Sequence, residues 1–162
     1  MDEAEFTEWA SGAERGLLRS AWLLTGDLHR SQDLVQEALV KVALRWRRLR
    51  EGNPTAYART IVFRDAATWW RRRREHPVAE PPQPGSVSND LETSLVVMRA
   101  LQRLTTAQRA VLVLRHFNDL SERETAAVLG VSVGTVKSQN AAALARLRTG
   151  APELLDLIGR TS

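Results

Sequence analysis

The sequence predicts an all-α protein of two small helical domains joined by a Pro-rich linker, the second domain containing a helix-turn-helix. Three features of its 162 residues lead there. Apolar residues recur at helical spacing in both halves, and no alternation of apolar and polar residues runs long enough for a strand. Between the halves, the stretch from His76 to Asn89 holds four of the six prolines and reads as a semi-extended connection that cannot continue a helix. Beyond it, Ala126, Gly130 and Val136 have the spacing of two helices that cross at a tight turn. The expected boundaries are 1–75, 76–90 and 91–160. Each domain is small enough for its core to leave little stability to spare, so docking on a larger partner fits both.

Composition closes off several kinds of chemistry. There is no Cys, which excludes a disulfide scaffold, a thiolate zinc site, an iron–sulfur cluster and a cysteine nucleophile. His29, His76 and His116 lack ligand or triad spacing, and GVSVGTVKS lacks the glycine spacing and the terminal Gly-Lys-Ser/Thr of a phosphate loop. No catalytic residue, metal or cofactor is expected, and the chain reads as a binding protein rather than an enzyme. No apolar run approaches the ~20 residues of a membrane span. The first residues, MDEAEFTEWA, are acidic where a signal peptide is basic and then apolar. The expectation is a soluble, cytoplasmic protein without membrane insertion.

Charge is segregated along the chain. Residues 1–40 carry three Arg against eight Asp and Glu, whereas residues 41–74 carry eleven Lys and Arg against two acids. Neighbouring segments thus suit different partners. Every Lys or Arg except Lys41 and Lys137 is an arginine, whose planar fork suits phosphate and base edges; high genomic GC content gives the same bias.

The clearest helix is expected from Arg30 to Arg50. Leu34, Val35, Ala38, Leu39, Val42, Ala43, Trp46 and Leu49 form its core stripe. Asp33, Gln36, Glu37, Val40 and Leu44 gather on the opposite face, so two apolar side chains stand beside two carboxylates and an amide. Either a third helix covers them or the face docks a basic partner. After a turn at Glu51-Gly52-Asn53, Pro54 is placed to start a helix over Thr55–Glu75. Arg59, Phe63, Trp70 and Arg74 share one strip of it; Ile61, Val62, Asp65 and Trp69 share another. One strip is expected to pack inward and the other to face a ligand. The ending Trp69-Trp70-Arg71-Arg72-Arg73-Arg74 suits nucleic acid, with guanidinium groups on phosphates and rings against bases, while core packing of the tryptophans and a solvated helix end are the simpler readings.

In the second domain, Ser121 with Glu124 reads as a capping box for the first helix of the pair, and Ser132 as the cap of the second. Val136, Ala143, Leu144 and Leu147 point inward, leaving Lys137, Ser138, Ala141, Ala142 and Ala145 outward. Small outward residues let a helix sink into the major groove, and the helix N-terminus with Lys137 favours a phosphate. An αα-hairpin that binds no DNA has the same outline.

Three stretches together resemble the extracytoplasmic-function sigma factors of bacterial RNA polymerase, and within them the SigE-type subgroup. They are WLLTGDLHRSQDLVQEALVKV, RWRRLREGNPTAYARTIV with WWRRRR, and QRAVLVLRHFNDLSERETAAVLGVSVGTVKSQ. The resemblance implies that 1–75 is a region 2-like domain that binds core polymerase and melts and reads the −10 element. It likewise implies that 91–160 is a region 4-like domain that reads the −35 element.

Carried onto this chain, the resemblance assigns the grip on the β′ subunit to the segment from Asp33 to Ala38, which agrees with the face read above, so binding of core polymerase, with its β′ and β subunits, is expected at Asp33, Leu34, Gln36, Glu37, Val40 and Leu44. It assigns −10 contacts to Arg50, Asn53, Arg59, Phe63, Arg64 and Trp70, and to Arg71, Arg72, Arg73 and Arg74. The loop from Arg50 to Asn53 is expected to cradle a flipped base of the melted non-template strand, whose unstacking costs a few kcal/mol that a fitted pocket can offset without ATP. It assigns −35 contacts in double-stranded promoter DNA to Ser132, Thr135, Lys137, Ser138, Gln139, Ala141, Ala142 and Arg146. An anti-sigma protein is a further partner that the resemblance allows.

The chain departs from the family's usual residues at three places. Arg64 stands where Asn is common, Ala142 where many relatives carry Arg, and Asn140 where many are apolar. Loss of an arginine removes about 1–3 kcal/mol of base discrimination, so −35 readout is expected to lean on DNA shape. The other binding-class reading is a stand-alone helix-turn-helix regulator or adaptor, which has no need of the Asp33–Leu44 face.

Overall fold

A computed structural model describes residues 2–75 and 91–161, apart from the side chains at 74, 91–94, 160 and 161. The expected linker at 76–90 lies outside the described residues. The described residues are helices and turns, and the chain divides into two compact units, Met1–Gln83 and Pro84–Ser162.

The first unit is built on α1 (Asp2–Thr25), α2 (Leu28–Ala43) and α4 (Pro54–Glu75), which pack on one another, with the single turn α3 (Trp46–Leu49) between the last two. Its core joins Leu17 and Ala21 of α1, Val35, Ala38, Leu39 and Val42 of α2, Trp46, and Ala58 and Val62 of α4. The corner between α1 and α2 is polar but satisfied. Gly26 takes the left-handed backbone that ends α1 (φ 68°), and the Asp27 carboxylate accepts from Arg30 N–H at 2.9 Å to cap α2. Beneath them, the buried Thr25 and Ser31 hydroxyls lie 2.9 Å apart, and Thr25 donates to the Ala21 carbonyl.

The expected helix from Arg30 to Arg50 is divided. It stops at Ala43, and Leu44 and Arg45 turn the chain before α3. Ala43, expected in the core, is exposed as a result, while Trp46 is buried and packs at 5.4 Å on both Phe6 and Trp9. Neither expected strip of α4 packs inward as a whole. Ala58, Val62 and Ala66, spaced four apart, form the buried stripe, and Phe63 joins them from the other strip.

The second unit comprises α5 (Leu91–Leu101), α6 (Thr106–Leu112), a π-helical turn over Val113–Phe117, α7 (Glu122–Leu129), α8 (Val133–Gly150) and α9 (Pro152–Thr161). Leu101, Leu112, Leu114, Leu147 and Leu154 are completely buried. Arg109 is buried as well and donates to the Met98 sulfur at 3.1 Å. Desolvation lowers its pKa to about 10, which leaves it charged at neutral pH.

Thr105 and Gln108 close a complete capping box on α6. At Ser121 only half of the expected box forms. The Ser121 hydroxyl accepts from Glu124 N–H at 3.0 Å, but the Glu124 carboxylate meets that hydroxyl at 3.2 Å instead of the backbone N–H.

Candidate nucleic-acid interface and docking face

On α2, Asp33, Gln36 and Glu37 are exposed, and so are Val40 (57%) and Leu44 (80%). Among the described residues, no helix of the first unit covers them, because the core takes the opposite stripe of α2. The face is acidic and amidic at one end and apolar at the other, which suits a partner helix with basic and aliphatic side chains. Leu34 is the exception among the expected docking residues. It is completely buried in the unit, so its side chain supports α2 from within and cannot touch a partner.

The loop after α3 and the helix that follows carry the expected −10 residues. Asn53 is exposed, and its side-chain oxygen accepts from Ala56 N–H at 2.9 Å, capping α4. Arg64, Arg71 and Arg72 are exposed, and Arg59 is half-buried. Phe63 is buried at 2% exposure and is core, not a DNA contact, because it faces the same side as Val62 and Ala66. Trp70 is half-buried and donates its indole N–H to the Leu24 carbonyl at 2.7 Å. Its ring meets Trp69 edge-on at 5.2 Å, and the Arg73 guanidinium lies 5.3 Å from the Trp69 ring. Trp70 therefore braces the end of α4 against α1, with Trp69 edge-on to it and Arg73 over Trp69. The Arg74 side chain lies outside the described residues.

Arg50 is at the rim of a pocket lined also by Glu5, Glu8, Trp9, Trp46 and Glu51. It is not free there. Its guanidinium donates to Asp2 at 2.7 Å and to Glu5 at 3.1 Å, and Arg47 reaches Asp2 at 3.2 Å. Sequence reading missed this contact, and the signal for it was present only as opposite charge patterns at the start of the chain and in RWRRLR.

In the second unit the helix-turn-helix has the expected construction. Gly130 is left-handed (φ 67°), and both its N–H and that of Val131 donate to the Ala126 carbonyl. Ala126 packs with Val111 and Val136 beneath the turn. Ser132 caps α8 by accepting from Thr135 N–H at 3.1 Å. Val136, Ala143 and Leu147 are completely buried, whereas Leu144 is only partly so. Ser132, Thr135, Lys137, Ser138, Ala141 and Arg146 are exposed, and Gln139 and Ala142 are half-buried. Arg146 donates to the Arg103 carbonyl at 3.0 Å, which fastens it to the turn after α5. Asn140, the polar departure beside the inward stripe, is accommodated because its side-chain oxygen meets His116 Nε2 of the π-helical turn at 3.0 Å.

The geometry of both units has known counterparts. Residues 13–76 match Sigma-70 region 2, and residues 94–147 match Sigma-70, region 4. The RNA polymerase sigma-E factor of Streptomyces coelicolor is 39% identical over 149 residues, covering 89% of this chain and 84% of that protein. The chain belongs to the extracytoplasmic-function sigma factors.

The sigma-E factor of Streptomyces avermitilis is similarly related to this sigma factor, at 41% identity over 150 residues, covering 89% of the chain and 83% of the relative. Among solved structures, the sigma factor RpoE of Bartonella quintana, crystallised with the anti-sigma factor NepR, superposes with a TM-score of 0.69 at 26% identity. That likeness covers 90% of this chain and 95% of that one. The region 2 match decides between the two binding readings, since a stand-alone regulator needs only the helix-turn-helix. This sigma factor directs promoter-specific transcription initiation. Among the described residues, no helix is long and apolar enough to cross a membrane.

Proposed function

We propose that residues 1–75 dock on core RNA polymerase through the exposed face of α2, with Asp33, Gln36, Glu37, Val40 and Leu44 against the β′ subunit. Leu34 holds that face in place from beneath. The observation that carries this reading is the pair Val40 and Leu44, apolar side chains left in water beside two carboxylates on a helix whose other face supplies the core. Arg50, Asn53, Arg59, Arg64, Arg71, Arg72 and Arg73 then engage the −10 DNA. Arginines on phosphates supply affinity, and the loop at Arg50–Asn53 captures a flipped non-template base, so melting needs no nucleotide hydrolysis.

Residues 91–160 place α8 in the major groove of the −35 element. Ser132, Thr135, Lys137 and Ser138 lie at the leading end of that helix, and Gln139, Ala141 and Ala142 follow along it. The protein works in the cytoplasm, as a binding subunit rather than a catalyst. The complex recorded for the Bartonella quintana relative supports an anti-sigma protein as a further partner.

Run-off transcription with core polymerase from the source organism, on a pool of its genomic promoter fragments, tests this reading. New transcripts that need the protein, and that vanish with Asp33→Arg or Glu37→Arg while the fold is retained, are the expected result. No transcript and no complex with core polymerase would reject it.

A further inference from the structure

The two arginines beside the −10 loop are already occupied by carboxylates of the chain itself. Arg50 donates to Asp2 and Glu5 at 2.7 and 3.1 Å, and Arg47 donates to Asp2 at 3.2 Å, across some 45 residues of sequence. Folding gives little reason for this arrangement. The groups are well exposed, with 91% of the Arg47 side chain and 36% of that of Arg50 in solvent. Exposed ion pairs of this kind add little to stability.

The consequence for DNA is larger. A guanidinium grips a carboxylate and a phosphate with the same fork, and Asp2 and Glu5 already take Nη1 of Arg50 and Nε of Arg47, so a phosphate must compete with them there. Two cations held by two anions make a cluster without net charge, which releases no counterions when a DNA backbone merely passes by.

We infer that Asp2 and Glu5 are specificity-determining residues, holding Arg47 and Arg50 back from nucleic acid that offers phosphates alone. DNA whose bases also fit the neighbouring loop supplies the additional binding energy that displaces the carboxylates. DNA lacking those bases does not, and discrimination arises from a repulsive element built into the site. The inference rests on the proposed −10 role of Arg50.

The test measures binding of the full chain to fluorescein-labelled oligothymidylate at low salt. Glu3→Gln/Glu14→Gln serves as a charge-matched control, since both residues lie on the same helix and neither makes an ion pair with Arg47 or Arg50. Asp2→Asn/Glu5→Gln is expected to bind roughly threefold to tenfold tighter than the parent chain, with Glu3→Gln/Glu14→Gln changing affinity less than about twofold. In an Arg47→Ala/Arg50→Ala background the gain from the double change should shrink to that of the control. Equal affinities for Asp2→Asn/Glu5→Gln and Glu3→Gln/Glu14→Gln, with Arg50→Ala weakening binding, would overturn the inference and leave the role of Arg50 standing. If the gain persists in full in the Arg47→Ala/Arg50→Ala background, or no variant binds, the role of Arg50 falls and the inference with it. Melting temperatures of all variants separate a loss of α1 packing from an effect on binding.

Discussion

The two units expose different chemistry to their partners. The first shows its partners an apolar pair on α2 and a field of cations, several of which already have company: Arg50 and Arg47 with acids, Arg73 over Trp69, and Lys41 with Asp65 at 2.9 Å. The second shows a helix surface of small residues in which Lys137 is the cation nearest the leading end and Arg146 is fastened to the Arg103 carbonyl. In the proposed promoter complex the first unit exchanges internal partners for external ones, whereas α8 enters its groove by shape with little to give up. Promoter selectivity should accordingly depend on charge and salt at the −10 side, and on groove geometry at the −35 side.

The largest effect should come from reversing charge on the α2 face. Glu37→Arg is expected to remove detectable transcripts while leaving the melting temperature nearly unchanged, because Glu37 is exposed and outside the core. Unfolding of that variant would undo the contrast between core and docking faces.

Next in size is the interior of the second unit. Leu147→Ala should destabilise that unit by about 2–5 kcal/mol, read as a shifted denaturant midpoint, since Leu147 is completely buried. The recognition helix can be sharpened rather than broken by Ala142→Arg. That change should tighten −35 duplex binding by about 1–3 kcal/mol and steepen its salt dependence, which a titration at several salt concentrations reads directly. In the parent chain, single base changes in a −35 site should each cost less than in an Arg-bearing relative. The smallest effect is expected from Ser132→Ala, about 1 kcal/mol of stability by calorimetry, from loss of the cap on α8.

Much of the molecule could be read in the sequence for physical reasons specific to its elements. A helix-turn-helix needs a left-handed turn and a small crossing residue, so Gly130 and Ala126 were visible. The division after Ala43 was not, because Leu39, Val42, Trp46 and Leu49 keep helical phase across it, and periodicity cannot register a turn that preserves the phase. Spacing puts Leu34 in the core stripe, yet the resemblance names it for polymerase binding and Phe63 for DNA, because a family's motif names positions whereas burial depends on which neighbours pack there. The π-helical turn, the Asn140–His116 contact and the Asp2–Arg50 pair each depend on groups brought together by tertiary structure, which local pattern does not encode.

In the proposed reading α2 has one face for the fold and another for the polymerase. The most direct measurement is the affinity of fluorescently labelled protein for core RNA polymerase, comparing the parent chain with Val40→Ala/Leu44→Ala. The double variant should keep its melting temperature and bind core polymerase at least about tenfold more weakly, as expected for truncating central apolar anchors of an interface. Unchanged affinity in a folded Val40→Ala/Leu44→Ala variant would contradict the assignment of that face.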